Sequence, residues 1–454
     1  MSKKWTSKVA HLPQDITIDR VEEHSDSVEL FISYPEYERI CHECGSHDCV
    51  RHDSGKYETV RHIVSGNKGL LLSFHVSRCR CKSCGKTFFQ EPYFVQPGLK
   101  LTQAAYVAVC EALMTNKSIK QIALDTGTTE SIVMSVLNYV DFTITSLPVT
   151  LCIDEFDGST GYWNAETKKW DINQFHCNIA DGDHGCVVDI LFKKDAASVK
   201  EYLKSFSLET RRKVKYYCCD MADGFISAAK QCLPNAIVCV DNFHITNLLK
   251  RNVDDARIAL QKSVLKQASV ETDEEKRNDL LQMYRLIKSS NHLLASSNIN
   301  KQSLDIKRQQ IRLERIERIL ELSDDLKEAY NAYQELLIIL HTSGYTVQRT
   351  LLSEWLEKYT ESANKGTRRC VNTIRHYRTY IHNAWKYDKS NASCEGLNNK
   401  IKVLKRTGFG GHSFPNFRQR ILFHCGSTKV VRSTYSIASQ KRLNKRNSKY
   451  SHDC

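Results

Sequence analysis

Proline is scarce in this chain: seven among 454 residues, with none between 250 and 385. A stretch so free of helix breakers excludes a turn-rich linker there and leaves long helices free to run. Long apolar runs are also missing. No segment approaches the ~20 consecutive apolar residues that span a bilayer, so no membrane partner is expected. The opening residues, MSKKWTSKVAHLPQD, carry no apolar core of the secretory kind, and a cytoplasmic location is expected. No internal repeat is present, which excludes a solenoid. Acidic residues are the minority, 52 Asp and Glu against 65 Lys and Arg, a net charge of +13. Such an excess suits a polyanion partner, although charge alone describes a merely basic soluble protein equally well. At 41 % hydrophobic and 26 % charged residues, the composition is that of folded globular domains.

Cysteine is the residue in excess, with eighteen. In a reducing compartment such thiols are buried small residues, catalysts or metal ligands. Cys152, Cys218, Cys219 and Cys239 sit in strand-like runs and read as buried. The pairs Cys41/Cys44 and Cys81/Cys84 are different. Each is a C-x2-C knuckle followed by glycine, Gly45 and Gly85, the residue that permits a tight turn aiming two thiolates at one ion. Four thiolates make a closed tetrahedral site, so one structural Zn2+ is expected, with Cys49 and Cys79 as competing ligands. The alternative is a metal-free protein whose cysteines are all core.

Patterning divides the chain into a β segment (1–36), a zinc-binding module (37–96), a helix-turn-helix (97–146), an α/β layer (147–250), a helical domain (251–385), a compact segment returning to the α/β layer (386–425) and a basic, disordered tail (426–454). In SIKQIALDTGTTESIVMSVLNYV (118–140), Ala123 allows two helices to cross closely and Gly127 allows the left-handed turn. Ile122, Val133 and Val136 fill the core between them, and Thr129 caps the second helix. Thr129, Glu130, Ser131, Ser135 and Asn138 would then face a major groove, with Lys117 and Lys120 on phosphates. The bland counterpart is an ordinary αα-hairpin.

From Val149 onward three strand-like runs, VTLCID, QFHCNIAD and GCVVDILF, precede alternating helices and strands, which signals an α/β layer around a central sheet. Two runs end in aspartate, Asp154 and Asp220. Carboxylates brought together at strand ends repel, and a divalent cation removes the penalty; hard oxygen ligands suit Mg2+ or Mn2+. A third carboxylate allows two ions and an in-line phosphoryl displacement. Glu395 is the candidate. It lies at a helix start capped by Asn391 or Ser393 and followed by Lys400, Lys402, Lys405 and Arg406, a cationic surface beside a metal ligand.

The chain resembles the ISL3-type insertion-sequence transposases of the DDE class. The motifs are the knuckles CHEC and CKSCGKTF, IDEF around Asp154, DMADGFISAAKQCLPNAIVCVDNFH (220–244), and CEGLNNKIKVLKRTGFGG followed by FPNFRQRIL (394–422). The resemblance implies an RNase H-like mixed sheet with an all-α insertion at 251–385. It implies that Asp154, Asp220 and Glu395 form a triad for two Mg2+ (or Mn2+) ions, and that Asp241 and His244 support the site or the DNA. It further implies double-stranded DNA as partner (transposon ends and target), a homodimer or larger synaptic assembly, and metal-dependent cleavage and strand transfer. A non-catalytic DNA-binding regulator derived from a transposase is the alternative; an unrelated RNase H-like nuclease rarely needs so long a helical insertion.

Overall fold

The computed structural model describes residues 12–41, 43–65, 68–90, 92–296, 306–408 and 413–436. Strands β1 (Thr17–Glu23), β2 (Ser27–Ser33), β3 (Cys49–Ser65), β4 (Lys68–Cys81) and β5 (Thr87–Phe89) come first. Helices α1 (Gln103–Leu113), α2 (Ile119–Asp125) and α3 (Glu130–Tyr139) follow. Next come β6 (Thr150–Asn164), β7 (Lys169–Asp181), β8 (Cys186–Leu191), α4 (Ala196–Lys204), α5 (Leu208–Arg212), β9 (Tyr216–Cys219), α6 (Asp223–Cys232) and β10 (Ile237–Val240). The remainder is helical: α7 (Asn242–Val270), α8 (Glu274–Lys288), α9 (Asn291–Leu294), α10 (Ile306–Leu320), α11 (Asp324–His341), α12 (Tyr345–Lys358), α13 (Lys365–Tyr387), α14 (Ala392–Thr407) and α15 (Phe414–Cys425). No described helix is long and apolar enough to cross a membrane.

The chain divides into two compact units, and β6 passes from one to the other: residues 147–154 and 195–393 form one, and the rest of the chain the other. In the unit that holds both termini, β1, β2, β4 and β3 make one sheet in that order, with β5 on β4. Residues 17–33, expected as a segment of their own, thus share a sheet with the cysteine-bearing strands. Its apolar face buries Ile18, Leu30, Ile32, Val60, Leu72 and Phe74 against Phe94 and Val95. Strands β3 and β4 run further than the sequence pattern suggests because each strand's ladder satisfies the other's backbone from Cys49↔Cys81 to Ser65↔Lys68.

The three helices after this sheet pack through Tyr106, Val109, Ile122, Val133 and Val136, all buried. Ser118 and Thr129 cap α2 and α3 by accepting from the amides of Gln121 and Ile132. Gly127 has φ +61°, and a Cβ there would come within 2.7 Å of Val64 Cγ2. Its position therefore demands glycine twice over, for the turn and for the approach to β3. In the same unit β7 pairs antiparallel with β8. Helix α15 joins this part to the three helices: Arg420 is buried and donates to the carbonyls of Leu113, Thr115 and Lys117.

Residues 428–436, expected without order, form a helical run. The reason is local packing: Val431 and Tyr435 are buried, and Glu111 of α1 accepts from Tyr435 Oη at 2.5 Å and from Arg432 at 3.1 Å. The rest of the expected tail, 437–454, lies outside the described residues.

In the other unit the start of β6 lies parallel to β9, and β9 parallel to β10. Helices α7 to α13 fill the Pro-free stretch. Helix α7 packs against α8 and α11, and α13 lies against β10 and α7. Buried positions on α13, Cys370, Val371, Ile374, Tyr377, Ile381 and Ala384, recur at three- and four-residue steps, which is why this face turns inward.

Candidate functional site

Register builds the site. Cys152 pairs with Cys218 across β6 and β9, and Cys218 with Cys239 across β9 and β10. The three thiols form a row: Cys152 and Cys239 hydrogen-bond to Cys218, which holds the Cys218 thiol below its ordinary range. Side chains two residues apart along a strand share a face, and neighbouring strands are about 4.8 Å apart. Two residues beyond the cysteines stand Asp154, Asp220 and Asp241, one on each strand line. The sequence pattern singled out the first two as strand ends. In the structure β6 continues past Asp154 to Asn164, so this aspartate is inside a strand, two residues beyond its last pair with β9. The third member of the row, Asp241, was legible only through the family motif, since register cannot be read from one strand's sequence.

His244, one turn into α7, faces this row. Asp220 Oδ1 is buried and lies 2.5 Å from His244 Nε2. Burial pulls the imidazole's pKa down, but contact with Asp220 and the charges of Asp220, Asp154 and Asp241 outweigh it, so His244 is held above its ordinary value. One imidazole thus feels all three aspartates. Asp241 is committed elsewhere: Oδ1 accepts from the Phe243 amide and caps α7, while Oδ2 accepts from the Asn391 amide at 2.8 Å. Asn391 Nδ2 donates to the Ile153 carbonyl at 3.0 Å. Asn391 therefore stands before α14 as expected, but its side chain is spent on β6 and not on capping.

Glu395 belongs to the other unit, in the first turn of α14. Its helix is fastened there on either side of it. Cys394 is buried with Sγ on the Asn178 carbonyl, and Asn398 donates to the Glu155 carbonyl at 3.2 Å. Glu155, next to Asp154, is ion-paired with Lys194. Of the cations after Glu395, Lys400, Lys402 and Arg406 are exposed. Lys405 is turned onto Asp157 at 2.9 Å, where the Ser159 hydroxyl and then Lys405 hold that carboxyl down to about 2. Lys405 is already neutralised within the chain.

A transposase family model, DDE ISL3, matches residues 151–421, more than half of the chain. The chain belongs to the ISL3 transposase family. The matched span contains Asp154, Asp220, Asp241, His244 and Glu395. A curated protein of Lactococcus lactis subsp. lactis, named an ATP-dependent protease, is 31 % identical to this ISL3-family chain over 115 residues. That stretch is 25 % of this chain and 36 % of the relative, so the chain spans about a third of the relative's length. The one Gly-Lys-Thr here, Gly85-Lys86-Thr87, has Arg80 where a phosphate-cradling loop needs its first glycine.

Two features of this ISL3-family protein lie before the matched span. The sulfurs of Cys41, Cys44, Cys81 and Cys84 all lie within 4.8 Å of one another, with 3.6 Å from Cys41 to Cys84 and 3.5 Å from Cys44 to Cys81. Four sulfurs at ~2.3 Å from a tetrahedral zinc are ~3.8 Å apart, so the set is compatible with zinc. Gly45 and Gly85 have φ +68° and +73°, and their amides return to the carbonyls of Cys41 and Cys81. The knuckles are thus the left-handed turns expected. Amides of the second knuckle, first that of Cys84, hold the Cys81 thiol below its ordinary range, while burial raises its neighbour Cys41. Cys49 stands opposite Cys81 across β3 and β4 and contacts it, with its thiol also on the Ser46 carbonyl, while Cys79 reaches Gln90; neither belongs to the four-sulfur set.

On α3 the expected groove-facing residues Thr129, Glu130, Ser131, Ser135 and Asn138 are all exposed. Thr129 and Ser131 hydroxyls meet at 2.9 Å, and Ser135 donates to the Ser131 carbonyl. Lys120 is exposed, whereas Lys117 pairs with Asp125 at 2.6 Å.

Proposed function

We propose that this protein binds the terminal inverted repeats of its insertion sequence and catalyses metal-dependent strand cleavage and strand transfer on an RNase H-like core. The observation that carries the reading is the row of Asp154 and Asp220 on adjacent parallel strands, within a chain of the ISL3 family. The parallel strands β10, β9 and the start of β6 in one unit, and the antiparallel pair β7 and β8 in the other, support the RNase H-like assignment.

Asp154, Asp220 and Glu395 would hold two Mg2+ or Mn2+ ions. The donor set fits: the oxygens are hard, and Asp220 Oδ1 is buried with the His244 imidazole against it. When bound, such ions activate water and stabilise developing charge on the attacking and leaving oxygens. The chain's own residues do the rest. His244 offsets carboxylate repulsion at Asp220 in the free protein. Asp241 positions both α7, which carries His244, and the segment entering α14, through Asn391. Asn391 and Asn398 fasten the residues either side of Glu395 to Ile153 and Glu155, the neighbours of Asp154. Four-thiolate zinc would fold the two knuckles. Thr129, Ser131, Ser135 and Asn138 would read the terminal repeat, with Lys120, Lys400, Lys402 and Arg406 on phosphates.

Asp154→Asn and Asp220→Asn proteins should bind a duplex carrying the element's end as wild type does, and should nick it neither with Mg2+ nor with Mn2+. Metal-dependent nicking retained by either variant overturns the triad.

A further inference from the structure

The reading above leaves the surface of α13 unused. This 23-residue helix carries six Lys and Arg residues and no Asp or Glu. Its inward face is filled by apolar side chains, so its cations are carried outside. Lys365, Arg369, Arg375 and Arg378 are exposed and Arg368 is half-buried. Among the described residues none of the five forms an ion pair with a carboxylate. Arg368 donates to the carbonyls of Ser362 and Ala363, and Arg375 to Thr360 Oγ1 at 2.6 Å and the Leu356 carbonyl. Neutral acceptors orient the two guanidiniums and leave their charge intact. The acid on the neighbouring helix α6, Asp223, is 3.0 Å from His376 at the edge of this surface.

The carbonyls of Ser362, Ala363 and Leu356 give Arg368 and Arg375 a place in the packing, but Lys365 and Arg369 have no such contact among the described residues. Lys365 lies in the first turn, where the helix dipole is positive and a cation is unfavourable by a few tenths of a kcal/mol. Lys365, Arg368 and Arg369 line one open depression on the surface together with His376. Lys365 is three residues from Arg368 and four from Arg369, and Arg368 is seven from Arg375, helical spacings that put the four along one side of the helix, a stripe about 15 Å long at 1.5 Å per residue. Phosphates on one strand of a duplex succeed each other every ~3.4 Å of axis, so such a stripe matches roughly four or five of them.

We propose that this face of α13 is a contact for the phosphate backbone of duplex DNA, independent of base sequence, made by Lys365, Arg368, Arg369 and Arg375. The proposal rests on the reading that this protein handles duplex DNA.

The test uses the full chain with Lys365→Gln and Arg369→Gln together, both exposed and both compatible with a helix. Binding is measured against salt on two linear duplexes, one carrying the element's end and one of unrelated sequence. A circular dichroism spectrum and melting curve matching wild type show that the variant is folded. The slope of log affinity against log salt should become shallower by about two. Affinity near physiological salt should drop about tenfold or more on both duplexes alike. An unchanged slope and affinity, with wild type binding tightly, overturns the α13 contact alone. A wild-type chain that binds neither duplex overturns the transposase reading with it. A loss confined to the element's end shows base readout and overturns the proposal as stated.

Discussion

Replacing Arg420 with Met should loosen the three-helix part while leaving Asp154, Asp220 and Glu395 unchanged. The Arg420 side chain is 6 % exposed and donates to three carbonyls where α1 ends and the following loop begins, two of them at 2.8 Å. A helix's last carbonyls have no partner within the helix, and here one guanidinium supplies the donors. Its burial pulls the Arg420 pKa down to about 10, so the cation is tolerated only because those carbonyls take its hydrogens. Methionine keeps the length and the packing but leaves the acceptors bare. Each buried orphan costs about 1–3 kcal/mol. Water can return to the outer two, so the sum is about 3 kcal/mol. Amides at the end of α1 should then exchange about a hundredfold faster, at a factor of ten per ~1.4 kcal/mol. Hydrogen exchange followed by mass spectrometry on peptides covering 109–117 reads this directly. Arg420→Lys, which keeps the charge but loses the planar fork, should fall between. Exchange within threefold of wild type in the methionine variant would refute the reasoning.

Two further outcomes follow from the unit that holds both termini. Cys44→Ser or Cys81→Ser should abolish the one zinc per chain measured by elemental analysis, while Cys49→Ser and Cys79→Ser should keep it; the reverse pattern contradicts the ligand assignment. Glu111 is held below its ordinary value near 4.5, chiefly by the Tyr435 hydroxyl and, against burial, by Arg432. A depressed carboxyl contributes stability that is complete above its unfolded value and is lost as pH falls through the folded one. Docking of residues 428–436 should therefore be constant from pH 7 to 5 and weaken below about 4.5, and Glu111→Gln should release it at pH 8, seen as faster tryptic cleavage after Lys429 and Arg432. Equal cleavage of variant and wild type would show that this ion pair does not hold the run.

What the amino-acid sequence determined by itself was local. Two C-x2-C-Gly knuckles, the Ala123–Gly127–Val133 spacing, the Thr129 cap and the alternation of strands and helices after Val149 are set by neighbours a few residues apart, through turn chemistry, capping and periodicity. They were readable for that reason. The tertiary structure decided what depends on partners distant in sequence. The paired strands β3 and β4, and β6 with its continuation past Asp154, owe their lengths to ladders that polar residues join as readily as apolar ones. Register put Asp241 level with Asp154 and Asp220, and the packing of the two knuckles brought four of six cysteines into one cluster. Lys117 and Lys405, which pattern alone assigns to phosphates, found Asp125 and Asp157 first; Tyr435 found Glu111 more than three hundred residues earlier. A side chain's chemistry is written at its own position, but its free charge depends on which opposite charge the fold brings beside it.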